Sequence, residues 1–264
     1  MIMVVGATGN VGEPLVRMLS AAGEEVTAVS RRITAAPPGV VVRQGELASL
    51  EFGGVSAVFL MVSGAFVSLA EVLGRAKAAG VRRVVALSSQ GVATGRHPAV
   101  LDDSVRRSGL EWTLLQPGAF ASNALQWAES VRSSREVVAP FGDVALPVVD
   151  PEDIAAVAAA ALREDGHAGR SYVLTGPAPI TPRDQAAAIG SAVGEPVRFV
   201  PQTRDEARAQ LLGVMPPEVV DVTLALLGTP TPAEQEVSPD VERVLGRPPK
   251  PFADWASRFA GAFK

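Results

Sequence analysis

Ile2-Met3-Val4-Val5-Gly6-Ala7-Thr8-Gly9-Asn10-Val11-Gly12 sets an apolar run directly against glycines at positions 6, 9 and 12. The run at 1–5 reads as a buried parallel strand, and the glycines as a tight turn that leads into a helix. Without side chains at those positions the amides at the helix start can approach a phosphate, and the helix can lie close against the strand. A triplet that follows a strand and opens a helix implies a dinucleotide's pyrophosphate; the plainer reading is a turn and nothing more. Asn10 is expected to cap the helix, and Pro14 falls in a first turn that tolerates a missing N–H.

Downstream, apolar runs near 2–5, 25–30, 39–43, 56–62, 82–87 and 111–116 alternate with helical patterns near 10–22, 66–79 and 97–108. That alternation predicts an α/β fold, a Rossmann-type doubly wound parallel sheet covered on both faces. In such sheets ligands collect outside the carboxyl ends of the strands, where the strand order reverses. From about Gly166 the chain turns Pro- and Gly-rich, with helices expected near 181–193, 203–213 and 216–228. The expected organisation is therefore a Rossmann core over 1–165 and a small C-terminal substrate lobe over 166–264, together one compact unit. Phe120, Trp127 and Phe141, with Met215 and Leu226, offer an apolar cleft for a flat or aromatic ligand, although core packing is the commoner use of such residues.

Composition narrows the function classes. The 264 residues are 47% hydrophobic, enough to bury a large core, and the net charge of −4 comes with no basic stripe, which disfavours nucleic-acid binding. There is no cysteine, and the two histidines are far apart, so no metal site is expected and redox chemistry needs a bound cofactor. No charged and apolar leader opens the sequence, and no stretch approaches about 18–20 consecutive apolar residues. The expectation is a soluble cytoplasmic protein without a membrane partner; its oligomeric state stays open, a homodimer included.

The second strand ends in Ser30-Arg31-Arg32, about 20 residues past the glycine turn, where an NAD-preferring site usually offers a carboxylate to the ribose hydroxyls. Arginine instead favours a 2′-phosphate, which makes NADP(H) the preferred cofactor and NAD(H) the second; the plain alternative is a solvated loop.

Gly6 to Gly12, Ser30-Arg31-Arg32, Gly45-Glu46-Leu47, Ser88-Ser89-Gln90-Gly91 and Gln116-Pro117-Gly118-Ala119-Phe120 follow one another in an order that resembles the NmrA-like branch of the atypical short-chain dehydrogenases. Asp150-Pro-Glu-Asp153, Tyr172-Val-Leu-Thr-Gly176 and Phe252-Ala-Asp-Trp255 extend the resemblance over roughly the whole chain. These NAD(P)H-binding proteins include quinone and azo-dye reductases and nucleotide sensors. The resemblance implies that Gly6, Thr8, Gly9, Asn10 and Val11 line the pyrophosphate, that Ser30, Arg31 and Arg32 face the adenosine ribose, and that Gly45, Glu46 and Leu47 approach the adenine. Glu46 departs from the family's usual Asp. Met61, Val62 and Ser63, then Ser88 with Ser89 and Gln90, then Pro117, Gly118, Ala119 and Phe120 are implied around the nicotinamide.

Conventional short-chain dehydrogenases use a Tyr-x-x-x-Lys pair, and this chain has none: its single tyrosine is Tyr172 and its lysines are Lys77, Lys250 and Lys264. Hydride transfer to a quinone or conjugated carbonyl needs less, since delocalisation already stabilises the developing anion and donors mainly orient it. Candidate donors are Ser88, Ser89, Gln90 and Asn123, which can equally shape backbone. His97 lies close to a histidine or lysine position of some family members, so proton transfer stands beside a capping or surface role. His167 reads as a loop residue. Asp102 and Asp103 read as solvent ion pairs with Arg106 and Arg107, and Asp150 and Asp153 as structural.

Three functions follow. The first is an NAD(P)H-dependent reductase of a small aromatic, quinone-like or conjugated carbonyl substrate. The second is a tailoring oxidoreductase or monooxygenase on a polycyclic aromatic metabolite, and the third a non-catalytic redox sensor.

Overall fold

The computed structural model describes residues 1–62 and 68–264. Seven strands form one parallel sheet: β1 (Ile2–Val5), β2 (Val26–Ser30), β3 (Val41–Gln44), β4 (Ala57–Met61), β5 (Arg83–Leu87), β6 (Glu111–Pro117) and, after a short β7 (Glu136–Ala139) elsewhere, β8 (Arg170–Leu174). Their order is β3-β2-β1-β4-β5-β6-β8, with every pairing parallel. The chain thus winds outward from β1 in both directions, which puts the switch point at the carboxyl end of β1. Helices flank this Rossmann-type sheet, and its central strands are buried along their length: Met3, Val4, Phe59, Val84, Val85 and Leu114 are wholly shielded. Burial on both faces is why they read as unbroken apolar runs. β3 is one edge, and its four residues are exposed; β8 is the other.

The crossover helices include Gly12–Ala21, Leu69–Ala78, Val100–Arg106 and Pro151–Arg163. Ser68 caps the second by accepting from the Glu71 N–H. Two local expectations change. The helix after β1 begins at Gly12 and so has Val11, not Asn10, at its N-cap position. The helix expected over 97–108 is shorter, spanning Val100–Arg106, because Pro98 holds the preceding residue out of helical geometry; a separate short turn at Gln90–Ala93 comes before it.

The chain clusters into two compact units that alternate along the sequence. The first comprises Met1–Pro117, Pro151–Leu174 and Pro239–Pro248, the second Gly118–Asp150, Thr175–Ser238 and Pro249–Lys264. This differs from a single division at residue 165, for a physical reason. β8 pairs with β6, Asp240 accepts from the Val173 N–H at 2.9 Å, and Arg247 meets the buried Asp153 at 2.7 Å, so two late segments, β8 and Pro239–Pro248, are held to the first unit. The second unit packs Trp255, Phe263, Phe252, Ile189 and Val131 into its core. Its helices Pro182–Val193, Arg204–Leu211 and Pro217–Gly228 lie where the sequence predicts them, the first two opened by capping boxes at Thr181 and Thr203. Its parallel pair, β7 with β9 (Arg198–Pro201), was not legible, each strand being four residues long and only partly buried.

Candidate active site

The turn after β1 is made of backbone. Gly6 has φ +82°, a left-handed conformation, and its N–H and that of Ala7 both donate to the Val29 carbonyl, tying the turn to β2. A Cβ at Gly12 would stand 2.1 Å from the Gly6 carbonyl oxygen, and one at Gly9 3.3 Å from the same atom. Only glycine lets the helix start lie that close to the strand end, and this is the packing a pyrophosphate-binding turn requires. Thr8 Oγ1 and Ser30 Oγ share a hydrogen bond of 2.8 Å, joining the turn to the end of β2.

Beyond Ser30, Arg31 and Arg32 are exposed, and neither forms an ion pair among the described residues. Two uncompensated guanidinium groups beside a glycine turn suit a phosphate better than a ribose hydroxyl. Gly45 donates its N–H to the Ser30 carbonyl, and Glu46 is exposed ahead of a single turn at Leu47–Ser49. Arg75 holds that turn through the carbonyls of Ala48 and Leu50. Met61 ends β4 half-buried, its side chain against the space a Cβ on Gly6 would need, and Val62 is exposed. Ser63 lies outside the described residues.

The ends of β5 and β6 are built from side chains. Ser89 Oγ accepts from the Gly91 N–H at 3.0 Å and lies 3.2 Å from His97 Nδ1. The ring packs on Gly91, where a Cβ would meet Nδ1 at 2.5 Å, and the His97 N–H donates to the Gly91 carbonyl. Ser89 and His97 are thus a hydrogen-bonded pair, whereas Gln90 between them is buried. Ser88 is committed elsewhere: its Oγ donates to Asp102 at 2.5 Å, and Gln116 Nε2 donates to the other oxygen of that carboxylate at 2.8 Å. Asp102 is 0% exposed, with Arg106 at 3.7 Å, which corrects its reading as a solvent ion pair; Asp103 does face solvent with Arg107. A signal for this existed. Gln116 interrupts a buried apolar strand and so demands a partner, and Asp102 shares a helix face with the buried Val105.

Within the second unit, Gly118, Ala119 and Phe120 are half-buried, and the Ala121 N–H donates to the Val149 carbonyl while the Val149 N–H donates to that of Ala119, which pins this segment. Asn123 is exposed. Trp127 is 8% exposed and belongs to the core of its unit. Phe141 is half-buried at φ +54°, packed with Leu211 and Met215 and against Gly228, where a Cβ would meet its ring at 2.6 Å. His167 Nδ1 and the Tyr172 hydroxyl form a separate pair at 2.9 Å. Burial lowers the imidazole's pKa against the pull of Glu164, and burial raises that of the phenol.

A model of the NAD(P)H-binding family matches residues 6–165. The chain belongs to that family. Across its full length it is 39% identical to the (4-alkanoyl-5-oxo-2,5-dihydrofuran-3-yl)methyl phosphate reductase of Streptomyces griseus subsp. griseus, covering 99% of that protein. It is 34% identical to the NAD(P)H azoreductase of Xenophilus azovorans, again over 100% of this chain and 99% of the other. Among solved structures, the NADPH-dependent quinone oxidoreductase of Escherichia coli in complex with NADPH shares the fold at a TM-score of 0.78 and 24% identity, over 98% of this chain and 99% of that one. The negative transcriptional regulator NmrA in complex with NADP does so at 0.75 and 21%, over 98% and 95%. With two full-length relatives above 30% identity that are both named reductases, the chain is an NAD(P)H-dependent oxidoreductase of that family. Among the described residues no helix is long and apolar enough to cross a membrane.

Proposed function

We propose that this protein reduces an electron-poor double bond of a quinone or conjugated carbonyl compound, with NADPH as the preferred donor and NADH as the second. When bound, the dinucleotide supplies the hydride. The turn Gly6–Gly12 with Thr8, Asn10 and Val11 holds the pyrophosphate through backbone N–H groups, and Arg31 and Arg32 with Ser30 take the 2′-phosphate. Gly45, Glu46 and Leu47 border the adenine. The observation that carries the reading is the Ser89–His97 pair, 3.2 Å apart at the end of β5 in a chain without a Tyr-x-x-x-Lys pair. Ser89 Oγ already accepts from the Gly91 N–H, so its own proton is free to be donated to the acceptor's oxygen as negative charge develops there. His97 Nδ1 is placed to restore that proton.

Two relatives support this choice of substrate class: one is named for reducing a 5-oxo-2,5-dihydrofuran bearing an alkanoyl group, and the other for an azo compound. Both names describe conjugated electron-poor acceptors. The test is NADPH oxidation by the purified protein with a panel of quinones, alkanoyl butenolides and azo dyes. Turnover lost in Ser89→Ala and His97→Gln with nucleotide affinity kept supports the reading; binding of NADPH without turnover on any acceptor favours a nucleotide sensor.

A further inference from the structure

Asp102 is the one carboxylate that touches the carboxyl ends of two neighbouring strands at once among the hydrogen bonds described above. One oxygen accepts from Ser88, the first residue after β5, and the other from Gln116, the penultimate residue of β6. The Ser88 N–H also donates to the Leu115 carbonyl at 2.7 Å, so the two strand ends are tied by backbone and side chain together. A buried carboxyl group is costly unless its lone pairs are met, and here two donors and the nearby Arg106 meet them. The immediate neighbours of the tied residues are those that carry chemistry: Ser89 follows Ser88, and Pro117 follows Gln116.

We propose that Asp102 is a positioning residue, which sets the Ser89–His97 pair by locking the end of β5 to that of β6. The Ser88 hydroxyl proton is spent on Asp102, so Ser88 is a structural link and not a donor to the acceptor. Ser89 then leaves the sheet in a fixed direction, its Oγ aimed between the Gly91 N–H and His97 Nδ1. Without the carboxylate, Ser88 and Gln116 lose a shared buried partner, and the Ser89 backbone gains freedom just where the imidazole is held. The catalytic consequence rests on the reductase reading above; the geometric one does not.

The chain's two histidines make a direct test available. Imidazole nitrogen NMR on the nucleotide-free full chain reads His97 and His167 separately, and His167, bonded to Tyr172, serves as an internal control. Asp102→Ala is expected to speed exchange of the His97 imidazole proton about tenfold, with His167 unmoved. Ser88→Ala, which cuts only the β5 arm, shares that effect. Asp102→Asn restores the wild-type signal, because a turned Gln116 amide can accept from the new N–H while Ser88 still donates to the remaining oxygen. In turnover, Asp102→Ala lowers kcat by as much as about 100-fold with little change in NADPH affinity, as expected for a misplaced donor, and Asp102→Asn recovers most of it. The proposal is overturned if Asp102→Ala leaves the His97 signal unchanged, if His167 moves equally, or if Ser88→Ala behaves as wild type. If the NMR response appears but even the wild type turns over no acceptor, the positioning role stands and the reductase reading falls.

Discussion

The turn after β1 and the joined ends of β5 and β6 sit at the same edge of one sheet, yet they are made of different material. The first is backbone: a left-handed Gly6, a Gly12 with no room for a Cβ, and amide bonds to Val29. The second is side chain: a buried carboxylate, two donors bonded to it, and a serine–histidine pair beside them. A backbone-built site tolerates no added atom and is indifferent to charge. A side-chain-built site accepts an isosteric replacement and fails when a partner is removed.

That contrast can be broken first at Gly12. Gly12→Val sets a branched side chain against the Gly6 carbonyl, which cannot swing aside, and is expected to cost about 3 kcal/mol or more of stability and to abolish nucleotide binding. Urea denaturation and NADPH fluorescence titration check both; wild-type affinity in this variant would remove the turn from the cofactor site. Next in size, Arg31→Asp replaces a phosphate partner with a repulsive charge and is expected to weaken NADPH by about 30-fold while NADH changes by less than about threefold. Equal losses for the two nucleotides would show that the arginine does not read the 2′-phosphate. Third, Asp102→Ala is expected to lower stability by about 2 kcal/mol, and Asp102→Asn by under about 1 kcal/mol, since only the alanine leaves Ser88 and Gln116 without a partner. Equal losses would mean that the charge, and not the hydrogen-bond pattern, holds the strand ends.

The smallest effect is expected at another side-chain pair, His167 with Tyr172. Burial depresses the folded-state pKa of His167, so the unfolded chain takes up the proton more readily. The stability it contributes is complete above the ordinary imidazole range and is lost as pH falls from that range through the lower folded-state value. Thermal unfolding between neutral and mildly acidic pH should show this slope, and His167→Gln should flatten it. No such slope is expected from the glycine turn, which holds no titratable group.

The two regions also differed in how far they could be read. The glycine turn was legible because its constraint is local: a missing side chain at three spaced positions after an apolar run leaves few other conformations. The strands of the large sheet were legible for a similar reason, as burial on both faces writes itself into continuous apolar sequence. Asp102 was read as a surface ion pair because its partners, Ser88 and Gln116, each lie 14 positions away and only the pairing of β5 with β6 brings them to one point. The Ser89–His97 pair was half legible, both residues being candidates whose contact depends on the turn at Gly91 and the break at Pro98. Trp127 illustrates the opposite limit: an aromatic residue looks alike in sequence whether it lines a cleft or fills a core, and here it fills one.

Sequence alone determined the Rossmann class, the glycine turn, the arginines at the end of β2 and the absence of a Tyr-x-x-x-Lys pair, because each is a property of residues close together along the chain. The tertiary structure decided that β8 and Pro239–Pro248 return to the first unit, that β7 pairs with β9, and that a buried aspartate joins two strand ends. Those features are contacts between distant segments. Their energy comes from satisfying buried donors and acceptors, and a buried polar residue states that it needs a partner without stating which.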